Sequence, residues 1–232
     1  MSARSNAVAG QPDRLPGVVY VVDDDPDVRF SITWLLESLG QSVRAFPSAS
    51  AFRGAPREDQ PGCIVLDLRL SDSSGLAVQQ VLRAAGDETP VVFISGVGDV
   101  SSAAAAMKAG ALDFLTKPIE PDALIACVRG AIVRDAERRS RAARMAVLQA
   151  RFARLTPRQR QVLPLLAQGW TNKRIAQALG TVVQTIKVHR AALMQRLEVT
   201  SLAELVRLVD VVCDQPWALV APRSEITRRP PV

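Results

Sequence analysis

Three observations predict an α/β fold, a doubly wound parallel five-stranded sheet, followed by a smaller all-α domain. Through residue 134, five short apolar runs alternate with helical patterns, and beyond it only helical periodicity remains. A chain of 232 residues gives each of two domains room for a core. Charge divides along the same line: residues 1–130 hold 11 Lys and Arg against 16 Asp and Glu, a balance of −5, and residues 131–232 hold 18 against 7, a balance of +11. A basic half is the electrostatic footprint of a domain that meets phosphate backbones, although a solvated basic surface has the same balance.

Residues 1–16, rich in Ser, Ala, Gly, Pro and Arg, offer nothing to bury and read as a flexible arm. Val18 to Val22 is the first strand, and it runs into Asp23-Asp24-Asp25-Pro26, where Asp25 can cap a helix and Pro26 suits its first turn. Val28, Ile32, Leu35, Leu36 and Leu39 follow at helical spacing to a stop at Gly40. Ser42 to Phe46 is the second strand and Ser48 to Arg53 a short helix. Cys63 to Leu66, too short for a buried helix and apolar throughout, is a central strand covered on both faces. Gly75 to Ala85 is a helix, Val91 to Ile94 a strand, and Asp99 to Ala109 an alanine-rich helix. Ala111 to Leu115 is the fifth strand, and Pro121 opens a helix to about Arg134.

In an open parallel sheet ligands bind beyond the carboxyl ends of the strands, and the polar residues collect there. Asp23 and Asp24 follow the first strand, Asp67 the third, Ser95 the fourth and Lys117 the fifth. Three carboxylates in one pocket repel one another and invite a hard cation such as Mg²⁺, whose shell a phosphate can complete. Asp67 is then a nucleophile toward phosphorus, Ser95 a donor to a phosphoryl oxygen, and Lys117 the counter-charge for an in-line transfer. Taken singly, each is more simply a helix cap or a turn.

Taken together and in this order, Asp-Asp, Leu-Asp-Leu-Arg-Leu, Ile-Ser-Gly and Phe-Leu-Thr-Lys-Pro resemble the CheY-like receiver domain of two-component response regulators, over about Val18 to Arg134. The resemblance implies a flavodoxin-like topology. It also implies Asp67 as phosphoacceptor, Asp23 and Asp24 as the acidic pair for Mg²⁺ with a further contact from the Arg69 carbonyl, and Lys117 as the phosphate-pairing lysine before a cis peptide at Pro118. Ser95 becomes the switch hydroxyl and Phe114 the switch aromatic, whose movements remodel the face made by the Asp99–Ala109 helix and the fifth strand; simple core packing is the alternative for Phe114. Dimerisation through Ala103 to Leu115 is carried from the family in the same way. One departure is Ser71, where many relatives have proline, and it predicts a looser loop after Leu70.

Residues 135–154 form the helical linker of this reading, since Ile132 to Arg154 is rich in Arg and Ala and lacks Pro. Met145, Leu148 and Phe152 make a narrow seam, either for a partner or for the chain's own helical domain. Thr156 and Pro157 then start a helix whose inner face is Val162, Leu165 and Leu166, ending at Gly169. Thr171 caps a second helix, about Asn172 to Leu179, and after Gly180 a third runs from about Val183 to Leu197. On that third helix Ile186, Leu193 and Leu197 share one face, and Gln184, Lys187, Val188 and Ala191 another. Ser201 to Cys213 closes the core. Short helix, tight turn and longer helix with a basic outer stripe is the arrangement that enters a major groove. Lys187 and Gln184 are placed for base edges and Val188 for a thymine methyl, with Lys173, Arg174 and Arg190 better placed for phosphates.

Leu-Thr-Pro-Arg-Gln-Arg-Gln-Val-Leu, Trp-Thr-Asn-Lys-Arg-Ile-Ala-Gln-Ala-Leu-Gly and Thr-Ile-Lys-Val-His-Arg resemble the LuxR-type helix-turn-helix over residues 155–213. With the receiver over 17–134, the architecture resembles the FixJ/NarL class of regulators. The resemblance implies double-stranded promoter DNA as a partner, with Thr171, Asn172, Lys173, Gln184, Thr185, Lys187, Val188, Arg190 and Ala191 at or near it. A cognate histidine kinase and a homodimer formed on phosphorylation are the other implied partners. Departures are Gln159 and Gln161 in place of glutamates, Pro164 interrupting the first helix, and Val182 in place of a hydroxyl cap. Residues 214–232 read as a disordered tail.

Cys63, Cys127 and Cys213 show no paired or metal-binding spacing and read as reduced packing residues, and no run of 18 apolar residues suggests export or a membrane span. A cytoplasmic protein is expected. A phosphatase with an aspartyl nucleophile is disfavoured, because Arg69 stands where such enzymes place a second Asp, so no turnover enzyme is expected. A constitutive DNA binder with a dormant receiver and a protein-binding adaptor are the remaining readings.

Overall fold

The computed structural model describes residues 16–96, 106–108 and 110–212. Nearly all of the expected arm, most of the Asp99–Ala109 helix, the first residues of the dimerisation stretch that begins at Ala103, Cys213, and the tail lie outside these residues. The chain divides into two compact units, residues 1–140 and 141–232. Among the described residues no helix is long and apolar enough to cross a membrane.

The first unit is built on β1 (Val18–Val22), β2 (Ser42–Phe46), β3 (Gly62–Asp67), β4 (Val91–Ser95) and β5 (Asp113–Thr116), all parallel in the order β2-β1-β3-β4-β5. The chain steps outward from β1 to β2, then returns past β1 to β3. That reversal opens a crevice beyond the carboxyl ends of β1 and β3. Side chains alternate between the two faces, which is why the strands read as unbroken hydrophobe. Val18, Tyr20, Val22, Ile64, Leu66 and Phe93 pack with Ala49 and Phe52 of α2 (Ala49–Gly54) and with Val78 and Leu82 of α3 (Gly75–Ala84). Val19, Val21, Cys63, Val65, Val92 and Ile94 pack with Ile32 and Leu36 of α1 (Pro26–Ser38). Leu124, Val128 and Ile132 of α4 (Pro121–Ala153) complete that face.

Local chemistry sets the boundaries. Asp25 accepts from the Asp27 and Val28 amides at the start of α1, and Gly40 takes the left-handed turn after it with φ 78°. Leu39 has left helical geometry as the C-cap and is 38% exposed, so it does not share the inner stripe expected for it. Strand β5 begins at Asp113 rather than Ala111, since the Ala111 amide donates to the Ala106 carbonyl.

In the second unit α5 (Pro157–Ala167), α6 (Asn172–Ala178), α7 (Val183–Leu197) and α8 (Leu202–Val212) enclose Val162, Leu163, Leu166, Ile175, Ile186, Leu193, Leu197, Leu205 and Val209. Leu163, not Leu165, completes the inner face of α5; Leu165 is half-buried. Phe152 is buried in this core and Met145 and Leu148 pack on it, so the seam serves its own unit. Pro164 does not interrupt the helix: α5 runs through it, and the Gln168 amide still donates to the Pro164 carbonyl. Gln159 closes a capping box with Thr156 and accepts from Arg196 at 2.6 Å, so the amide oxygen fills the acceptor position without a charge.

Candidate functional site

The crevice between β1 and β3 gathers four of the residues expected there. Asp23 follows β1 and is buried, Asp24 comes next half-buried, and Asp67 ends β3 with 6% exposure. Ligand oxygens from all three lie within 4.8 Å of one another. Lys117, after β5, reaches in: its Nζ donates to Asp23 Oδ2 at 2.9 Å and to Asp67 Oδ2 at 2.5 Å. The Lys117–Pro118 peptide is cis. The backbone completes the cradle, with the Asp25 amide donating to Asp23 Oδ1 (2.9 Å), the Arg69 amide to Asp67 Oδ1 (2.8 Å) and the Ser71 amide to Asp24 Oδ2 (3.0 Å).

The electrostatics follow from burial. Desolvation raises the Asp23 carboxyl above the ordinary aspartate value, with the Lys117 hydrogen bond opposing it. Burial alone would lower the Lys117 ammonium, but its bonds to Asp67 and Asp23 outweigh that and hold it above the usual lysine value. Three carboxylates gather where Lys117 bonds two of them, and a hard divalent cation relieves the repulsion among them. The donor set therefore fits Mg²⁺. Ser95 ends β4, buried, opposite Thr116 of β5, and its carbonyl accepts from the Lys117 amide at 2.7 Å. Phe114 pairs with Phe93 across β4 and β5 and is half-buried against the same core.

In the second unit, α7 turns Ile186, Leu193 and Leu197 inward and leaves Gln184, Lys187, Val188 and Ala191 exposed, Val188 by 60%. Thr185 and Arg190 flank that stripe half-buried. The Thr171 hydroxyl accepts from the Arg174 amide as the cap of α6, followed by half-buried Asn172 and exposed Lys173. Arg174, expected against phosphate, is exposed and lies 3.8 Å over the Trp170 ring. Val182 makes no side-chain cap bond, as its apolar side chain dictates.

Comparison with known proteins bears on both units. Residues 19–129 match the response regulator receiver domain, and residues 153–209 match the bacterial regulatory proteins of the luxR family. The response regulator protein TodT of Pseudomonas putida is 39% identical over 197 residues, 85% of this chain and 87% of TodT. The transcriptional regulatory protein FixJ of Azorhizobium caulinodans is 43% identical over 197 residues, 85% of this chain and 92% of FixJ. The chain belongs to the response regulators that join a receiver to a LuxR-type domain. Among solved structures, the response regulator StyR matches with a TM-score of 0.79 and 44% identity, covering 85% of this chain and all of that one. Full-length FixJ from B. japonicum matches at 0.52 with 38% identity, covering 84% and 96%. As a member of this family the protein is a phosphorylation-controlled transcription factor.

Several contacts of this response regulator escape a reading of its sequence. Arg29 Nη1 donates to the Asp23 carbonyl at 2.7 Å, six residues away and across the boundary of α1, a separation that matches no helical period. Asp72 accepts from the Ala49 and Ser50 amides across 23 and 22 residues, and no local pattern foretells that. The loop after Leu70, with serine for proline, is tied at Ser71 and at Asp72.

Proposed function

We propose that Asp67 is the phosphoacceptor of this response regulator, in a receiver spanning 17–134 joined by a helical linker at 135–154 to a DNA-binding domain at 155–213. The observation that carries the assignment is the convergence of Asp23, Asp24, Asp67 and Lys117 on one crevice. An Asp67 carboxylate oxygen attacks phosphorus as the nitrogen–phosphorus bond of the kinase phosphohistidine breaks, leaving an acyl phosphate on the receiver and a free imidazole on the kinase. Lys117 neutralises charge on the transferring oxygens and Ser95 donates to one of them. Asp23, Asp24, Asp67 and the Arg69 carbonyl are the groups that would hold Mg²⁺, which when bound screens the incoming phosphoryl charge. Phe114 then repacks with Ser95, and the protein dimerises on a two-fold DNA site.

The kinase partner has a fitting surface beside the crevice. Phe30 and Trp34 on α1, 70% and 64% exposed, border an apolar groove of about 570 Å³ that is closed by Lys117, Pro118 and Ile119. A helical partner seated there brings its phosphohistidine alongside the lysine that touches Asp67.

On the DNA side, exposed Gln184, Lys187, Val188 and Ala191 face base edges, with Thr171, Asn172, Lys173, Thr185 and Arg190 along the phosphates. The test is intact mass after incubation with Mg²⁺ and a small phosphodonor, for wild type and Asp67→Asn, with oligomer size and DNA binding read on the same samples. One phosphate adduct on wild type alone, with a dimer and tighter, salt-sensitive DNA binding, is expected. No adduct on wild type overturns the assignment.

A further inference from the structure

We infer that Asp72 is a positioning residue for the metal and phosphoryl site, acting through the loop that follows Asp67. The inference rests on the proposed role of that site.

The loop is closed at its base, where Arg69 bridges to Ser74 and the Ser74 hydroxyl caps α3, and Ser71 to Ser73 project beyond that closure. Ser71, Asp72, Ser73 and Ser74 include no proline and no apolar anchor, and within the stretch the Leu70 amide closes a turn onto the Ser73 carbonyl at 3.1 Å. At its far end Gly75 folds back until its amide donates to the Leu68 carbonyl at 2.9 Å. Ser71 and Asp72 each reach out to the rest of the unit. The Ser71 amide donates to Asp24 Oδ2 at 3.0 Å, and the Asp72 carboxylate accepts from the Ala49 amide at 3.0 Å and the Ser50 amide at 2.9 Å.

The two tethers are not equivalent. Asp24 belongs to the carboxylate cluster, so its oxygens are the ones a divalent cation recruits. Asp72 is independent of the cluster. Its partners open α2, where the Ser48 hydroxyl takes the Ala51 amide and leaves the Ala49 and Ser50 amides to Asp72. Helix α2 is in turn seated by buried Phe52, in edge contact with Phe46 of β2 and with Tyr20 of β1. Asp72 therefore ties the loop to α2, and through Phe52 to the β1–β2 edge of the sheet, by two charge-assisted bonds. With Asp72 removed, the tether left at Ser71 runs to the carboxylate that the cation needs. Ordering the Arg69–Ser71 backbone and binding the cation then compete for Asp24.

The test uses the full chain as wild type, Asp72→Ala and Asp72→Asn. Mg²⁺ affinity is measured by calorimetric titration, amide exchange at Ala49 and Ser50 by mass spectrometry, phosphoryl adduct lifetime by intact mass, and the melting midpoint without Mg²⁺. Asp72→Ala is expected to bind Mg²⁺ roughly tenfold more weakly, with faster exchange at both amides and a changed adduct lifetime. Asp72→Asn, which keeps one acceptor oxygen, should fall between, and it decides the matter if the alanine variant does not fold. Wild-type Mg²⁺ affinity and adduct lifetime in the variants, with only the melting midpoint lowered, overturn the inference. Wild-type protein that neither binds Mg²⁺ nor takes a phosphate removes the proposed function itself, and this inference with it.

Discussion

Lys117 and Asp67 meet through a single hydrogen bond between Nζ and Oδ2, although 50 residues separate them in the chain. The ammonium is shared with Asp23, so one cation serves both buried carboxylates. Lys117→Ala should slow phosphorylation by a small donor about 10²-fold, the scale for losing one preorganised charge donor. The same variant should bind Mg²⁺ more tightly, because a competing cation is gone. A rate course by intact mass and a Mg²⁺ titration check the two halves.

Trp34 separates kinase docking from chemistry. It lines the groove beside Lys117 but does not touch Asp67, so Trp34→Ala should leave phosphorylation by a small donor as it is. Transfer from the cognate kinase should show a KM raised roughly tenfold or more, as expected on losing an aromatic anchor.

Gly75 is held by a close approach. A Cβ there would overlap the Asp67 carbonyl and come within 3.0 Å of the Phe93 ring. Gly75→Ala should cost about 1–3 kcal/mol in urea unfolding, the range for overpacking a tight site. It should also slow phosphorylation, since the strain falls on the backbone of Asp67.

Val182 begins the proposed recognition helix without a side-chain cap. Val182→Thr should stabilise the second unit by about 1 kcal/mol. Thermal melting of the full chain checks it.

Glu204 gives a pH signature in the second unit. The Thr200 amide and hydroxyl donate to its carboxylate at 2.7 and 2.9 Å, and these bonds hold it below the usual glutamate range. Its folded value lies below its unfolded one, so its contribution is fully present above the ordinary glutamate range. That contribution is lost as pH falls through the depressed value. The urea midpoint of wild type should exceed that of Glu204→Gln at neutral pH, and the gap should close as the pH is lowered.

By itself the sequence determined what depends on neighbours along the chain. Alternating runs foretold five parallel strands, Asp25, Thr156 and Thr171 announced their helices, and Asp67 stood at the end of an apolar strand. Helical spacing likewise put Lys187 and Val188 outward and Ile186 and Leu193 inward. Each of these rests on periodicity or on a bond between residues a few positions apart, which local pattern encodes.

Only the tertiary structure decided which distant residues meet. The order β2-β1-β3-β4-β5 sets Asp23 beside Asp67 and lets Lys117 reach both. It carries Asp72 to the start of α2, and the buried Asp135 carboxylate to the Gly62 amide across 73 residues. In the second unit the packing of α7 on α5 brings Arg196 to Gln159, so that the departure from glutamate has a partner. Such bonds depend on strand order and on which faces close over each other, quantities that no window of the sequence contains, because burial creates the demand for a partner only after the chain has folded.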